Sequence, residues 1–167
     1  MPDAQPVRVA ILTVSDSASR KERPDLSGPA VLEEVRRLGF LADDPEIVPD
    51  DPEAIRSWLV AAVDERQPDL IFTTGGTGLS PRDNTPEATA AVIRKTVPGL
   101  SEMMRLEGMK STPRAMLSRG VAGVRGKTLI VNLPGSVKGA RESIRAIETL
   151  LPHAVELIRG IPVRCGD

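Results

Sequence analysis

A chain of 167 residues with 40% apolar and 27% charged side chains suits one ordinary domain, 1–167, and is too short for two. Its net charge of −1 and its few aromatics (Phe40, Trp58 and Phe72, no tyrosine) argue against nucleic acid, whose binders carry a basic excess and stacking rings. No apolar run nears the roughly 20 residues of a membrane span, Met1–Pro6 lacks a secretory pattern, and the lone Cys165 fits a reducing compartment, so a cytoplasmic protein is expected.

Val7 to Val14 is an almost unbroken β-branched apolar run, the pattern of a strand buried on both faces. Pro29 to Leu38 reads as a helix with Val31, Val35 and Leu38 on one stripe and Gly39 closing it. Glu46 to Val48 is a short strand. Pro52 to Glu65 carries the strongest helical period, with Ile55, Trp58, Leu59, Ala62 and Val63 on one face. Leu70 to Thr74 is a second buried strand running into a glycine-rich loop. Thr85-Pro86-Glu87 opens a helix that Pro98-Gly99 ends, and Leu100 to Met109 forms another. Val121 to Val124 pairs with the strand Thr128 to Leu133 across a turn at Arg125-Gly126. Ser136 then caps a helix with Ala140, Ile144, Ile147 and Leu151 on its inner stripe, and Pro152 divides it from a terminal turn. The two ends and Ser19 to Ser27 are expected to be mobile.

Alternating strands and helices imply a three-layer α/β/α domain with a mainly parallel sheet and one antiparallel strand. Ligands of such sheets bind beyond the strands' carboxyl ends, which directs attention to the loops after Val14, Val48, Thr74 and Leu133.

In the loop after Thr74, Gly75, Gly76 and Gly78 let backbone N–H groups approach an anion, with Thr77 between them. Two familiar nucleotide motifs are absent. Gly76-Thr77-Gly78 lacks the third glycine of the dinucleotide fingerprint, whose place Pro81 takes, and Gly126-Lys127-Thr128 leads into a strand instead of a helix. Helix capping alone accounts for Thr85 and Pro86. It does not account for Arg82-Asp83, so Asp83 is expected to serve as a metal ligand or a hydrogen-bond acceptor.

After Val48, Asp51 is placed to cap the next helix, which leaves Asp50 without a local role. The spacing permits Asp50 and Asp83 to share one Mg²⁺ with substrate phosphates. Ser15-Asp16-Ser17 suits a phosphate or a polar heterocycle, and a solvated loop explains it equally well. Asn132-Leu133-Pro134-Gly135-Ser136 offers a second anion site at a helix start, with plain capping as the alternative. A single histidine, His153, a terminal cysteine and no Gly-x-Ser-x-Gly elbow disfavour zinc and serine-hydrolase chemistry. The methionines at 103, 104, 109 and 116 read as packing or subunit-contact residues.

Taken together, Thr13–Ser17, Val48–Asp50, Thr73–Gly78, Arg82-Asp83, Thr85–Ala88, Pro98-Gly99, Leu117–Arg119 and Asn132–Gly135 resemble the molybdopterin adenylyltransferase (MogA/MoaB-like) family, in the family's order and over nearly the whole chain. The resemblance implies a homotrimer and a Mg²⁺-dependent transfer of AMP from ATP to molybdopterin, with pyrophosphate released. It places the family's acidic pair on Asp50 and Asp83. It has Gly75, Gly76, Thr77 and Gly78 cradle phosphates, while Ser15, Asp16, Ser118 and Asn132–Ser136, including Pro134 and Gly135, line the rest of the cleft. Arg82 either supports the leaving pyrophosphate or holds Asp83. Asn84, where valine is frequent, and Val137, where proline often follows, depart from the pattern. The rival reading is a molybdopterin carrier without transferase activity, and a protein that inserts molybdenum is the expected recipient of the product.

Overall fold

The computed structural model describes residues 5–162, so Cys165 and the chain ends expected to be mobile lie outside the described residues. Among the described residues seven strands form one sheet: β1 (Arg8–Val14), β2 (Leu41–Ala42), β3 (Glu46–Val48), β4 (Leu70–Thr74), β5 (Lys95–Thr96), β6 (Ala122–Arg125) and β7 (Thr128–Leu133). The strand order is β2-β1-β4-β7-β6-β5, with β3 continuing the edge of β1 beyond β2. Pairings among β1, β2, β3, β4 and β7 are parallel. The hairpin β6–β7 is antiparallel, and so is the contact of β5 with β6.

Side-chain alternation along the buried strands sorts the core into two halves. Val9, Ile11, Leu70, Phe72, Leu129, Val131 and Leu133 face one way and Leu12, Val14, Ile71 and Ile130 the other. The first face is covered by α2 (Ser27–Arg37), α5 (Pro98–Met109), α6 (Val137–Ile147) and α7 (Leu151–Arg159). The second is covered by α3 (Pro52–Ala61) and α4 (Thr85–Ala90). A four-residue helix, α1 (Asp16–Ser19), follows β1 directly. The result is the expected three-layer α/β/α arrangement, and no helix among the described residues is long and apolar enough to cross a membrane.

Several local expectations are corrected. Proline starts helices here because its missing N–H costs nothing in the first turn. Pro98 therefore opens α5 and does not end the helix begun at Thr85, which stops at Ala90 with the short strand β5 between them, and Pro152 opens the nine-residue α7 in place of the terminal turn the sequence predicts. The stripe Ala140, Ile144, Ile147, Leu151 is fully buried, but Leu151 belongs to α7. The helix after β3 widens into a π-helical turn over Ala62–Arg66 and stops at Gln67 in the left-handed region. Trp58 is only half-buried, its indole N–H donating to Glu46 at 2.9 Å. The stretch between α1 and α2 is pinned by Asp25, which accepts from Thr13 Oγ1 at 2.6 Å and Gly28 N–H at 3.0 Å.

Candidate active site

β1, β3, β4 and β7 end on one rim, and the residues singled out from the sequence follow each of them. Ser15 N–H donates to the Val48 carbonyl at 2.9 Å, which joins the ends of β1 and β3. Its Oγ caps α1 by accepting from Ala18 N–H. Two carboxylates then clasp each other's backbone. Asp16 N–H donates to Asp50 Oδ2 at 2.7 Å, and Asp50 N–H donates to Asp16 Oδ1 at 3.1 Å.

Arg82 donates to both oxygens of Asp16 at 2.8–3.0 Å, and does not hold Asp83 as one sequence reading had it. That guanidinium holds the Asp16 carboxyl below the usual carboxylate range. Asp50 behaves oppositely. Burial pushes its carboxyl up, the charges of Asp16 and Asp83 push the same way, and the Asp16 N–H and Arg82 only partly offset them. Asp83 accepts from Ser80 N–H through Oδ2 at 2.9 Å. Asp50 and Asp83 thus each commit one oxygen to a backbone amide, and the other takes no hydrogen bond among the described residues.

The glycine-rich loop is shaped by close approach. Gly75 has φ +97° and its added Cβ would lie 2.3 Å from the Val14 carbonyl oxygen, while at Gly76, φ +66°, it would lie 2.3 Å from Thr85 Oγ1. Neither position tolerates a side chain. By sequence Thr85 is suited to cap the helix. Asn84 occupies that position instead, and the fully buried Thr85 hydroxyl donates to the Gly75 carbonyl at 2.9 Å. Arg119 fastens the far side. Its Nε donates to the Gly78 carbonyl and its Nη2 to the Asp83 carbonyl, both at 2.8 Å, and it pairs with Glu87. The N–H groups of Gly76, Thr77 and Gly78 have no acceptor among the described residues.

A cleft of about 450 Å³ opens beside this loop, lined by Gly76, Thr77, Gly78, Asp83 and Ser118 and by the Asn132–Ser136 turn. Ser15, Asp16, Asp50, Gly75 and Arg82 lie outside its lining. Asp50 is nonetheless near, since a Cβ on Gly76 would be 3.3 Å from Asp50 Oδ1. The Asn132 side chain is spent within the protein, donating to Thr73 and Thr89 at 2.9 Å and accepting from Val121 N–H at 3.1 Å. Its role is to hold the chain that carries Ser118. Ser136 caps α6 by accepting from Gly139 N–H.

The opposite wall, from α5, was not anticipated. Ser101, Met104, Arg105 and Gly108 line it, at the i, i+3, i+4, i+7 spacing of one helix face. Two polar residues on an otherwise inward-facing stripe were the available signal. Arg119 was visible only as the neighbour of Ser118.

Known proteins share the sequence pattern and the fold. The family profile described as a probable molybdopterin binding domain matches residues 10–153. Molybdopterin adenylyltransferase of Helicobacter pylori is 44% identical over 158 residues, covering 93% of this chain and 90% of that protein. The molybdenum cofactor synthesis protein cinnamon of Drosophila melanogaster is 43% identical over 91% of this chain, which corresponds to 26% of that longer protein. The crystal structure of the molybdopterin biosynthesis enzyme MoaB from Thermus thermophilus superposes with a TM-score of 0.88 at 54% identity, covering 93% of this chain and 98% of that one.

Proposed function

The chain belongs to the family of probable molybdopterin binding domains, and from that premise we propose that it transfers AMP from ATP to the terminal phosphate of molybdopterin, releasing pyrophosphate. An oxygen of the molybdopterin phosphate forms a bond to the α-phosphorus of ATP. The bond from that phosphorus to the β-phosphate's bridging oxygen breaks, and pyrophosphate leaves with the electron pair. No protein nucleophile takes part. The protein's task is to bring two anions together in line and to meet the charge that develops.

The unbonded N–H groups of Gly76, Thr77 and Gly78 are suited to phosphate oxygens, and the start of α6 is a second source of donors. Asp50 and Asp83 fit a Mg²⁺ held jointly with substrate phosphates, because each keeps one carboxylate oxygen unbonded and Mg²⁺ sites of this kind use one or two carboxylates. When bound, that ion would supply positive charge to offset the repulsion of the phosphates. Arg82, tied to Asp16, fixes the clasp that orients Asp50.

The observation that carries this reading is the pair of half-committed carboxylates flanking a loop of unbonded amides. Its test is pyrophosphate release from Mg·ATP. Wild type should release pyrophosphate only when molybdopterin is present, and Asp50→Ala and Asp83→Ala should each lose on the order of 10³ in rate. A wild type that binds molybdopterin and releases nothing is a carrier, and the transferase reading is then wrong.

Assembly and hand-over belong to the same proposal. Met103, Leu106 and Met109 on α5, with Met116 and Leu117 after it, are exposed apolar residues, which supports a homotrimer contact there. The longer relative carrying a domain like this one supports passage of the adenylylated product to a molybdenum-inserting partner. We place the reaction in the cytoplasm on the same reading.

A further inference from the structure

The turn from Gly78 to Asp83 carries both an unbonded amide and a half-free carboxylate. Its middle residues, Leu79, Ser80, Pro81 and Arg82, are exposed, so burial does little to fix its shape. Polar bonds do that instead. Asp83 N–H donates to the Ser80 carbonyl at 2.9 Å, and Ser80 N–H donates to Asp83 Oδ2 at 2.9 Å. The same carboxylate oxygen sits against Gly78, where an added Cβ would be 2.8 Å from it.

Arg119 closes this turn from behind. One edge of its guanidinium spans the two ends, with Nε on the Gly78 carbonyl and Nη2 on the Asp83 carbonyl, both at 2.8 Å. The far corner, Nη1, pairs with Glu87 on α4, which fixes how the fork is turned and neutralises its charge. Arg119 N–H also donates to the Thr77 carbonyl at 2.9 Å. A trans peptide points its C=O and N–H in opposite directions, so that bond turns Gly78 N–H away from Arg119.

Gly78 and Asp83 line the cleft and Arg119 does not. The guanidinium therefore reaches the chemistry only through the turn it holds. Its charge is already matched by Glu87, and what distinguishes it from a lysine is a planar fork that binds two carbonyls at once.

We propose that Arg119 is a positioning residue whose guanidinium fixes the Asp83 carboxylate against the Gly78 amide, and so sets the geometry in which Mg²⁺ and the nucleotide's phosphates are held together. The proposal rests on the reading of Asp83 as a carboxylate that shares Mg²⁺ with substrate phosphates. Arg119→Lys keeps the charge and loses the fork, which separates geometry from electrostatic attraction.

The test is calorimetric binding of ATP, in Mg²⁺ and in EDTA, to wild type, Arg119→Ala, Arg119→Lys and Arg125→Ala, with melting curves of each ligand-free protein. Arg125 is the matched control. It too bonds a carbonyl, that of Val92, and a carboxylate, Asp64, but at the β6–β7 turn on the opposite rim of the sheet. Both Arg119 variants should lose about ten- to a hundredfold of the affinity that Mg²⁺ adds, as when a group behind a metal ligand is removed. Affinity in EDTA should be unchanged, because the backbone bond from residue 119 to Thr77 survives both substitutions. Arg125→Ala should melt lower than wild type and keep the full gain from Mg²⁺. If Arg119→Ala does not fold, Arg119→Lys carries the same comparison.

A merely structural role predicts that affinity in Mg²⁺ and in EDTA falls together, or that the Arg119 and Arg125 variants behave alike. Either result overturns the proposal, and so does a full gain from Mg²⁺ in Arg119→Lys, since charge alone would then suffice. If wild type gains affinity from Mg²⁺ and the Arg119 variants gain equally, this assignment alone fails. If wild type gains nothing from Mg²⁺, the metal reading of Asp50 and Asp83 fails with it.

Discussion

Asp69 and Asp50 are carboxylates on opposite rims of one sheet, the lower edge where the parallel strands begin and the upper edge where they end: the first sits just before β4 and the second just after β3. Asp69 accepts from Arg8 N–H at 2.8 Å and from two nitrogens of Arg159 at 2.7 and 2.8 Å. Burial pushes its carboxyl up, but those donors outweigh it and hold the group below the usual range. Asp50 is also shielded from water, has one amide donor and two acidic neighbours, and is held above the usual range. At the lower edge the protein satisfies its own charge, and the fold gains. At the upper edge charge is left for a ligand to satisfy, and the free protein is less stable for it, as functional sites commonly are.

The largest effect expected from this contrast is at the lower edge. Asp69→Ala leaves the half-buried Arg159 without its carboxylate and should cost about 3 kcal/mol, lowering the melting temperature by roughly 6–12 °C. Pyrophosphate release at a temperature where the variant is folded should be nearly unaffected. If activity falls with stability, the two edges are not separable.

The pH dependence of stability should show both signs. Asp69 and the buried Glu34 have folded pKa values below their unfolded ones. In Glu34 burial raises the value, and the bonds from Arg145 and Arg37 outweigh it. Their contribution is present above the usual carboxylate range and is lost as pH falls through the depressed values. Asp50 has a raised folded pKa. Above the unfolded value the folded protein holds a proton that the unfolded chain has released, so stability declines as pH rises through that window. Denaturation midpoints across the acid range should therefore place Asp50→Asn level with wild type at the lowest pH and ahead of it as pH rises. A constant gap would mean that Asp50 does not titrate as described.

The smallest effect is at Arg82, whose side chain is 62% exposed. Arg82→Ala should change stability by less than about 0.5 kcal/mol, while the Asp16 carboxyl, observed by NMR titration, should move up toward the ordinary carboxylate value. No movement there would mean the pair does not persist in solution.

The sequence made the buried layers legible because continuous apolar strands and 3.6-residue stripes carry the core. Asp51 and Ser136 cap as expected, since a capping side chain needs only its own next turn. What was hidden depends on distant partners. Nothing near Arg82 announces that Asp16, 66 residues away, is its partner. Thr85 looks like a cap until Gly75 is folded against it. Asn132 looks like a ligand group until Thr73, Thr89 and Val121 use up its amide. The π-turn ending at Gln67 has no glycine to mark it, and Ser101 and Arg105 gain meaning only when α5 closes the cleft.

Melting temperature and pyrophosphate release measured on one preparation of Asp50→Asn test the contrast most directly. Loss of activity with a melting temperature equal to or above wild type, at neutral pH, is the predicted result. A variant that loses activity and melts several degrees lower, or one that keeps its activity, would contradict the account.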